Sequence, residues 1–406
     1  MLNWAQQFSI FCFLDNQDYS IAPHRYECLL AAGVTDFINV NTPASLKDLD
    51  AFIDRSSWIF GHLSYDIKNL LYPFSATKEN RIGFPLYYFF KPQFLCILNH
   101  NKLTIKAENA NAVFAAIMQQ PEFYNEPVIP FSIRQRLSQN RYIECVEQLQ
   151  QHILRGDCYE LNFCQEFFAE DAVINPLSVF NQLMQESPNP FSAFYKWHDS
   201  YLICASPERF LYKEGSHLIS QPIKGTAKRN RNNRHLDEQT KLELAVSTKE
   251  RSENVMVVDL VRNDLSKVCK EASVHVSELF GIYSFPQVHQ MISTIRGEIK
   301  EGVTFSELIA ALFPMGSMTG APKHNVLQLI DQYESFSRGL FSGSVGYIQP
   351  NGDFDFNVVI RSILYNSEER YLSYLVGSGI TFYSDAEKEW EECLLKAAAI
   401  KKVLTV

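Results

Sequence analysis

The chain has 406 residues, is 46% hydrophobic and 20% charged, and carries a net charge of −9 with no basic block, which argues against a nucleic-acid partner. Its N-terminus lacks a basic signal-peptide region, Asp15 and Asp18 interrupt the first apolar run, and no stretch approaches the ~20 apolar residues of a membrane span. Nine cysteines without a C-x-x-C pair are expected to be reduced thiols of a cytoplasmic protein.

Three prolines between Pro121 and Pro130 mark a soft boundary between an N-terminal region (1–125) packed on the rest and a main domain (135–406). Ser138 is placed to cap a helix with the apolar stripe Ile143, Val146, Leu149 and Ile153, ending near Gly156. A strand follows, with Tyr159, Leu161, Phe163 and Phe167 on one face and Glu160, Asn162, Cys164 and Glu166 on the other. Residues 201–221 read as strands broken at Glu214-Gly215, and one long helix is expected from Asp237 to Leu265. Gln349 to Asp353 joins two alternating runs as a hairpin turn. Ser384-Asp385-Ala386-Glu387 reads as a capping box opening the last helix. Strands and helices without regular β-α-β alternation predict the α+β class.

Two carboxylate pairs carry metal chemistry. Glu250 and Glu253 are at i and i+3 on the central helix, and Glu389 and Glu392 are at i and i+3 on the last one, so each helix offers two carboxylates in one direction. If those faces meet, they form a set of hard oxygen ligands suited to Mg²⁺; taken singly, such pairs are solvated faces. The turns around Gly316 to Lys323 and Gly377 to Gly379 expose backbone N–H groups suited to anions. Arg361 suits a bidentate carboxylate contact, and Lys396 lies one helical turn after Glu392, where a simple ion pair is the alternative. His289 lies in a strand, where a satisfied core histidine is the alternative to a catalyst. Glu208 and Lys224 sit on neighbouring strand-like runs that antiparallel pairing would bring together.

The ordered segments Ser206-Pro207-Glu208-Arg209-Phe210, Pro222-Ile223-Lys224-Gly225-Thr226, Glu253-Asn254, Asp259 to Asp264, Thr319 to Lys323, Val345 to Ile348, Ile360-Arg361 and Glu389 to Glu392 resemble the chorismate-utilising enzymes. That family includes anthranilate, aminodeoxychorismate, isochorismate and salicylate synthases. The resemblance spans about residues 135–406, with a weaker match at Gly61 to Asp66. It implies an anthranilate synthase-like fold of stacked antiparallel sheets flanked by helices. It also implies Mg²⁺ among Glu250, Glu253, Glu389 and Glu392, with Glu253 and Glu392 as direct ligands. Tyr347, Arg361, Lys396, Gly377 and Gly379 would hold the substrate carboxylates; Gly225, Thr226 and Thr319 would line the ring; His289 would lie near the leaving or entering group.

Within the family, Lys224 resembles the aminodeoxychorismate synthase component I branch, because anthranilate and isochorismate synthases usually carry alanine there. Glu160 departs from the glutamine common in that branch; Met315, Ser362 and Ser378 are milder departures. Asp15-Asn16 stands near the place of the Leu-Leu-Glu-Ser signature of anthranilate synthases, so tryptophan inhibition is not predicted. The implied reaction joins chorismate and ammonia into 4-amino-4-deoxychorismate for 4-aminobenzoate and folate synthesis. Lys224 is the expected nucleophile, Glu208 the acid for the departing hydroxyl and His289 its electrostatic support. Either burial and the metal free the Lys224 amine of its proton, or the proton moves when substrate binds; the residues leave both open. The chain has no Gly-x-Cys-x-Gly glutaminase turn, so a separate glutaminase subunit and a separate downstream lyase are expected. The alternatives are anthranilate synthase component I, with the same site, and a non-catalytic chorismate-binding homologue.

Overall fold

Ser138 accepts a hydrogen bond from the Arg141 amide and opens the helix Gln139–Leu154, which Gly156 ends at φ +84°. The computed structural model describes residues 1–19, 21–40, 46–54, 56–72 and 78–405. Its strands form one continuous antiparallel ladder that folds back on itself. The ladder starts at Glu160–Ala169, which pairs with Tyr371–Ile380, then passes through Ser362–Asn366, Ser200–Ser206 and Phe191–Trp197. The N-terminal strands continue it: Ile10–Asp15, Cys28–Val40, Tyr87–Asn99 and Ile59–Leu63 pair in that order. Ser344–Ile348, Phe354–Asn357, Arg209–Glu214, His217–Gln221 and Val288–Glu298 then lead to Ile223–Lys228. The N-terminal residues therefore supply the middle of the ladder, between the strand of Glu160 and the strand of Lys224.

Two large apolar clusters fill the molecule. One gathers Phe60, Phe89, Phe90, Phe313 and Phe356; the other packs Phe163, Phe194 and Tyr374 beneath the helices Gln139–Leu154, Pro176–Glu186 and Ala386–Leu404. The strand Glu160–Ala169 is buried along its whole length, so the alternation seen in its sequence divides two interiors rather than core from solvent. No helix among the described residues is long and apolar enough to cross a membrane, and all nine cysteines are buried free thiols.

Two expected elements differ. The central helix is two, Arg234–Val246 and Thr248–Val268, because Ser247 leaves helical geometry (φ −61°, ψ 115°) and caps the second through the Glu250 amide. The last helix is capped by Asp385, whose side chain accepts from the Lys388 amide, while Ser384 turns back to receive the Thr381 amide. The hairpin at Gln349–Asp353 is present, with Gly352 at φ +80°.

Candidate active site

Lys224 lies on a bulge. Ile223 pairs with Ile292 and Thr226 with Gln290, so the Lys224–Gly225 step holds one residue more than the partner strand. Gly225 takes φ +96°, which no side chain tolerates cheaply, and the kink turns Lys224 out of the ladder. Its Nζ donates to Glu160 Oε1 at 2.5 Å, closing the ladder's two ends on each other. Gly379 is the floor beneath this pair: a Cβ there would lie 2.5 Å from the Lys224 Nζ and 3.0 Å from the Glu160 Oε1. Gly379→Ala is expected to push the pair apart and cut turnover by ~100-fold, the scale of a 1 Å misplacement, with little change in thermal midpoint. Steady-state rates and a thermal melt check both halves of that expectation.

The helices Thr248–Val268 and Ala386–Leu404 bring their carboxylates to the same region. Glu253 and Glu389 are buried, and both face the Lys249 ammonium, at 3.8 and 3.6 Å. Glu253 Oε1 has no hydrogen-bond partner. Burial pushes the Glu253 carboxyl up to about 7, against the pull of Lys224. Glu250 is raised by burial too, whereas Lys396, Lys249 and Lys224 overcome burial and hold Glu392 below the usual range. Among the described residues, no three ligating groups already converge on one point. A hard divalent cation nevertheless fits this donor set. The oxygens belong to carboxylates, one buried oxygen lacks a partner, and a lysine ammonium already lies between the two helices' acids.

Burial by itself does not free the Lys224 amine of its proton. Burial does work to lower its pKa, but Glu160, then Glu253 and Glu392, outweigh it and hold the ammonium above the ordinary lysine range. Glu208 stands just ahead of Arg209–Glu214 and is buried, near enough to Lys224 to feel its charge, yet its Oε1 accepts from Ser317 Oγ at 2.5 Å instead. Burial raises the Glu208 carboxyl to about 7, against Ser317 and Lys224, so it can hold a proton near neutrality.

Arg361 is held at φ +52° at the end of the segment before Ser362–Asn366. That backbone is strained for any residue but glycine. Among the described residues its guanidinium makes no hydrogen bond or ion pair; burial lowers its pKa and only Glu392 opposes that. A partly buried, unpaired guanidinium is a ready partner for an anion. Lys396 pairs with Glu392 at 2.6 Å, the simple ion pair its spacing allowed, and also donates to the Gly377 carbonyl at 2.8 Å. Thr319 is buried, hydrogen-bonds the Met315 carbonyl, and accepts the Asn162 amide beside Glu160 at 2.6 Å. Thr226 is exposed on the far side of the bulge.

Two expected residues are engaged elsewhere. Tyr347 packs edge-on and tilted among Tyr26, Trp58 and Phe60 and lines a separate cavity with Asp15, Asn16, Arg209 and Asp355, because its strand lies between Ile59–Leu63 and Phe354–Asn357. His289 is buried with both ring nitrogens engaged, Nδ1 with Ser284 Oγ at 2.8 Å and Nε2 with Asp237 Oδ1 at 3.2 Å. Two further contributors went unread in the sequence. Lys249 gave no signal beyond its place between Ser247 and Glu250. Glu334 and Arg338 form a fully buried bidentate pair that takes the Cys164 amide and donates to the Asn162 and Met318 carbonyls, locking the strand of Glu160 to the Gly316–Met318 turn.

Residues 16–402 match the family described as chorismate binding enzyme. An anthranilate synthase component I-like protein of Synechocystis is 33% identical over 359 residues, covering 86% of this chain and 73% of that protein. Aminodeoxychorismate synthase component 1 of Escherichia coli is 35% identical over 314 residues, covering 76% and 68% respectively. The chain spans less than a third of the longer chloroplast aminodeoxychorismate synthases it matches. The crystal structure of anthranilate synthase component I from Streptococcus pneumoniae superposes with a TM-score of 0.83 over 94% of this chain and 93% of that one, at 23% identity, which establishes the shared α+β fold. A match from residue 16 to 402, together with that fold, makes this chain a member of the chorismate-binding enzyme family.

Proposed function

We propose that the chain is an aminodeoxychorismate synthase, converting chorismate and ammonia into 4-amino-4-deoxychorismate through a transient bond to Lys224. The observation that carries this reading is the Lys224 amine, turned by a glycine bulge out of its strand and onto Glu160 beneath the carboxylates of two helices. Alanine at that position would leave nothing to attack a ring carbon. The relatives named aminodeoxychorismate synthase, at 29–40% identity, support the same choice.

In this reading Arg361 and the Gly377–Gly379 backbone hold the substrate's carboxylates, and Thr319 and Gly225 bound the ring. Glu208 supplies the proton that lets the 4-hydroxyl leave as water, since hydroxide itself is a poor leaving group. Glu253 and Glu392 would hold Mg²⁺, with Glu250 and Glu389 beside them. When bound, the cation orients the ring carboxylate and draws electron density from the diene. His289 stiffens the strand next to Lys224 through Asp237 and Ser284. Ammonia comes from a separate glutaminase subunit, and a separate lyase releases 4-aminobenzoate.

The anthranilate synthase reading is favoured by the names of the Synechocystis and Haloarcula relatives, at 33% and 35% identity. Chorismate, Mg²⁺ and ammonium salt at alkaline pH, with products identified by mass and fluorescence, separate the two. The expected product yields 4-aminobenzoate only after a lyase is added, and chelation with EDTA stops its formation. Anthranilate forming without a lyase would overturn the proposal, and no turnover under any ammonia supply would favour a non-catalytic binder.

A further inference from the structure

Lys224 cannot attack carbon while it carries its proton, and its surroundings hold that proton firmly. The charged groups facing it come from every neighbouring element: Glu160 on Glu160–Ala169, Glu253 and Glu250 on Thr248–Val268, Glu392 on Ala386–Leu404, and Glu208 ahead of Arg209–Glu214. Lys249 and Lys396 stand behind the helix carboxylates. Of these acids only Glu160 is hydrogen-bonded to the amine, at 2.5 Å. Glu208 is engaged by Ser317 and Glu392 by Lys396.

The position of Glu160 is built rather than accidental. Its backbone pairs with Ala321, and Gly320, at φ +145°, lets the neighbouring chain close against its carbonyl, where any Cβ would collide. Gly379 leaves the space its carboxylate occupies. Among the described residues, Lys224 is the only hydrogen-bond donor to the Glu160 side chain. The carboxylate therefore has no structural duty that a proton would interrupt.

Building on the function proposed above, we infer that Glu160 is the proton acceptor that converts Lys224 into a nucleophile. When substrate closes the site against water, two buried charges lose solvation, and moving one proton along the existing hydrogen bond leaves a neutral amine and a neutral acid. The amine then forms a bond to C2 as the ring double bonds shift and the C4–oxygen bond breaks, the oxygen leaving as water with the Glu208 proton. Ammonia next bonds to C4 while the C2–nitrogen bond breaks and Lys224 departs as a neutral amine. Glu160 returns its proton to Lys224, and the new C4 ammonium returns one to Glu208. The sum is chorismate plus ammonia giving aminodeoxychorismate plus water, with every protein group restored.

The test compares wild type, Glu160→Gln, Glu160→Asp and Lys224→Ala between about pH 6 and 9.5 at constant free ammonia, with product identification. Glutamine keeps the shape and a hydrogen bond but accepts no proton. Glu160→Gln is expected to keep KM for chorismate within ~3-fold and to lose ~100-fold in kcat near neutrality. Relative to wild type, its rate should then climb ~10-fold per pH unit as solvent takes over the proton, the ratio cancelling the loss of the Glu208 proton that both enzymes share. The climb should level off as the Lys224 amine becomes mostly neutral, with burial then opposed by Glu253 and Glu392 alone. Glu160→Asp should keep the wild-type profile at lower kcat. A Glu160→Gln enzyme with wild-type kcat and pH profile, or a faster one, would reduce Glu160 to a counter-ion and sink the inference. Anthranilate as product, or full activity in Lys224→Ala, would instead sink the underlying reading.

Discussion

Lys224→Ala is expected to lower aminodeoxychorismate formation by at least ~1,000-fold, a loss of ~4 kcal/mol of transition-state stabilisation, and to abolish covalent capture of chorismate. The single variant has a second effect. It leaves Glu160 buried without its partner, and an uncompensated buried charge destabilises a fold by itself. Lys224→Ala/Glu160→Gln removes that charge. The double variant should regain the thermal midpoint lost by the single one while remaining inactive. Mass spectrometry of protein quenched with chorismate, beside a melt of each variant, reads the two effects separately. A chorismate adduct on Lys224→Ala, or activity in the double variant, would remove Lys224 from the mechanism.

Arg338→Met should be the costliest single change to stability. Glu334 and Arg338 are each 1% exposed and bonded through two nitrogens, so methionine would strand a carboxylate in the core. Removing one partner of such a pair costs ~3–5 kcal/mol. Two backbone contacts would go with it, to the Asn162 and Met318 carbonyls on either side of the site. A drop in the urea midpoint of that size is the expected result, and Glu334→Gln added to Arg338→Met should recover part of it. If the single variant unfolded at the wild-type midpoint, the pair would have no part in holding the strand of Glu160 in place.

Much of the local structure was legible from single residues. Ser138 begins its helix and Gly352 turns its hairpin because capping and positive φ are short-range requirements. The i,i+3 spacing of Glu250 with Glu253 and of Glu389 with Glu392 read correctly as pairs, since helix geometry alone decides which residues share a face. Where two local solutions competed, the sequence was ambiguous. Ser247 breaks a run whose periodicity continues across it, and Asp385 takes the cap that Ser384 also offered. Tyr347 was misplaced for a different reason: its strand pairs with N-terminal residues, and the motif containing it says nothing about those partners.

The sequence by itself determined which chemistry is present: a lysine before a bulge glycine, four helix carboxylates, an arginine free for an anion, and the family to which their order belongs. Only the tertiary structure decided which acid meets Lys224. Glu160 and Lys224 are 64 residues apart and stand on strands separated by the whole run of the ladder through the N-terminal region. Their contact depends on how that ladder closes on itself, which no local propensity encodes. Closure put Glu160 on the amine and left Glu208, the expected acid, bonded to Ser317.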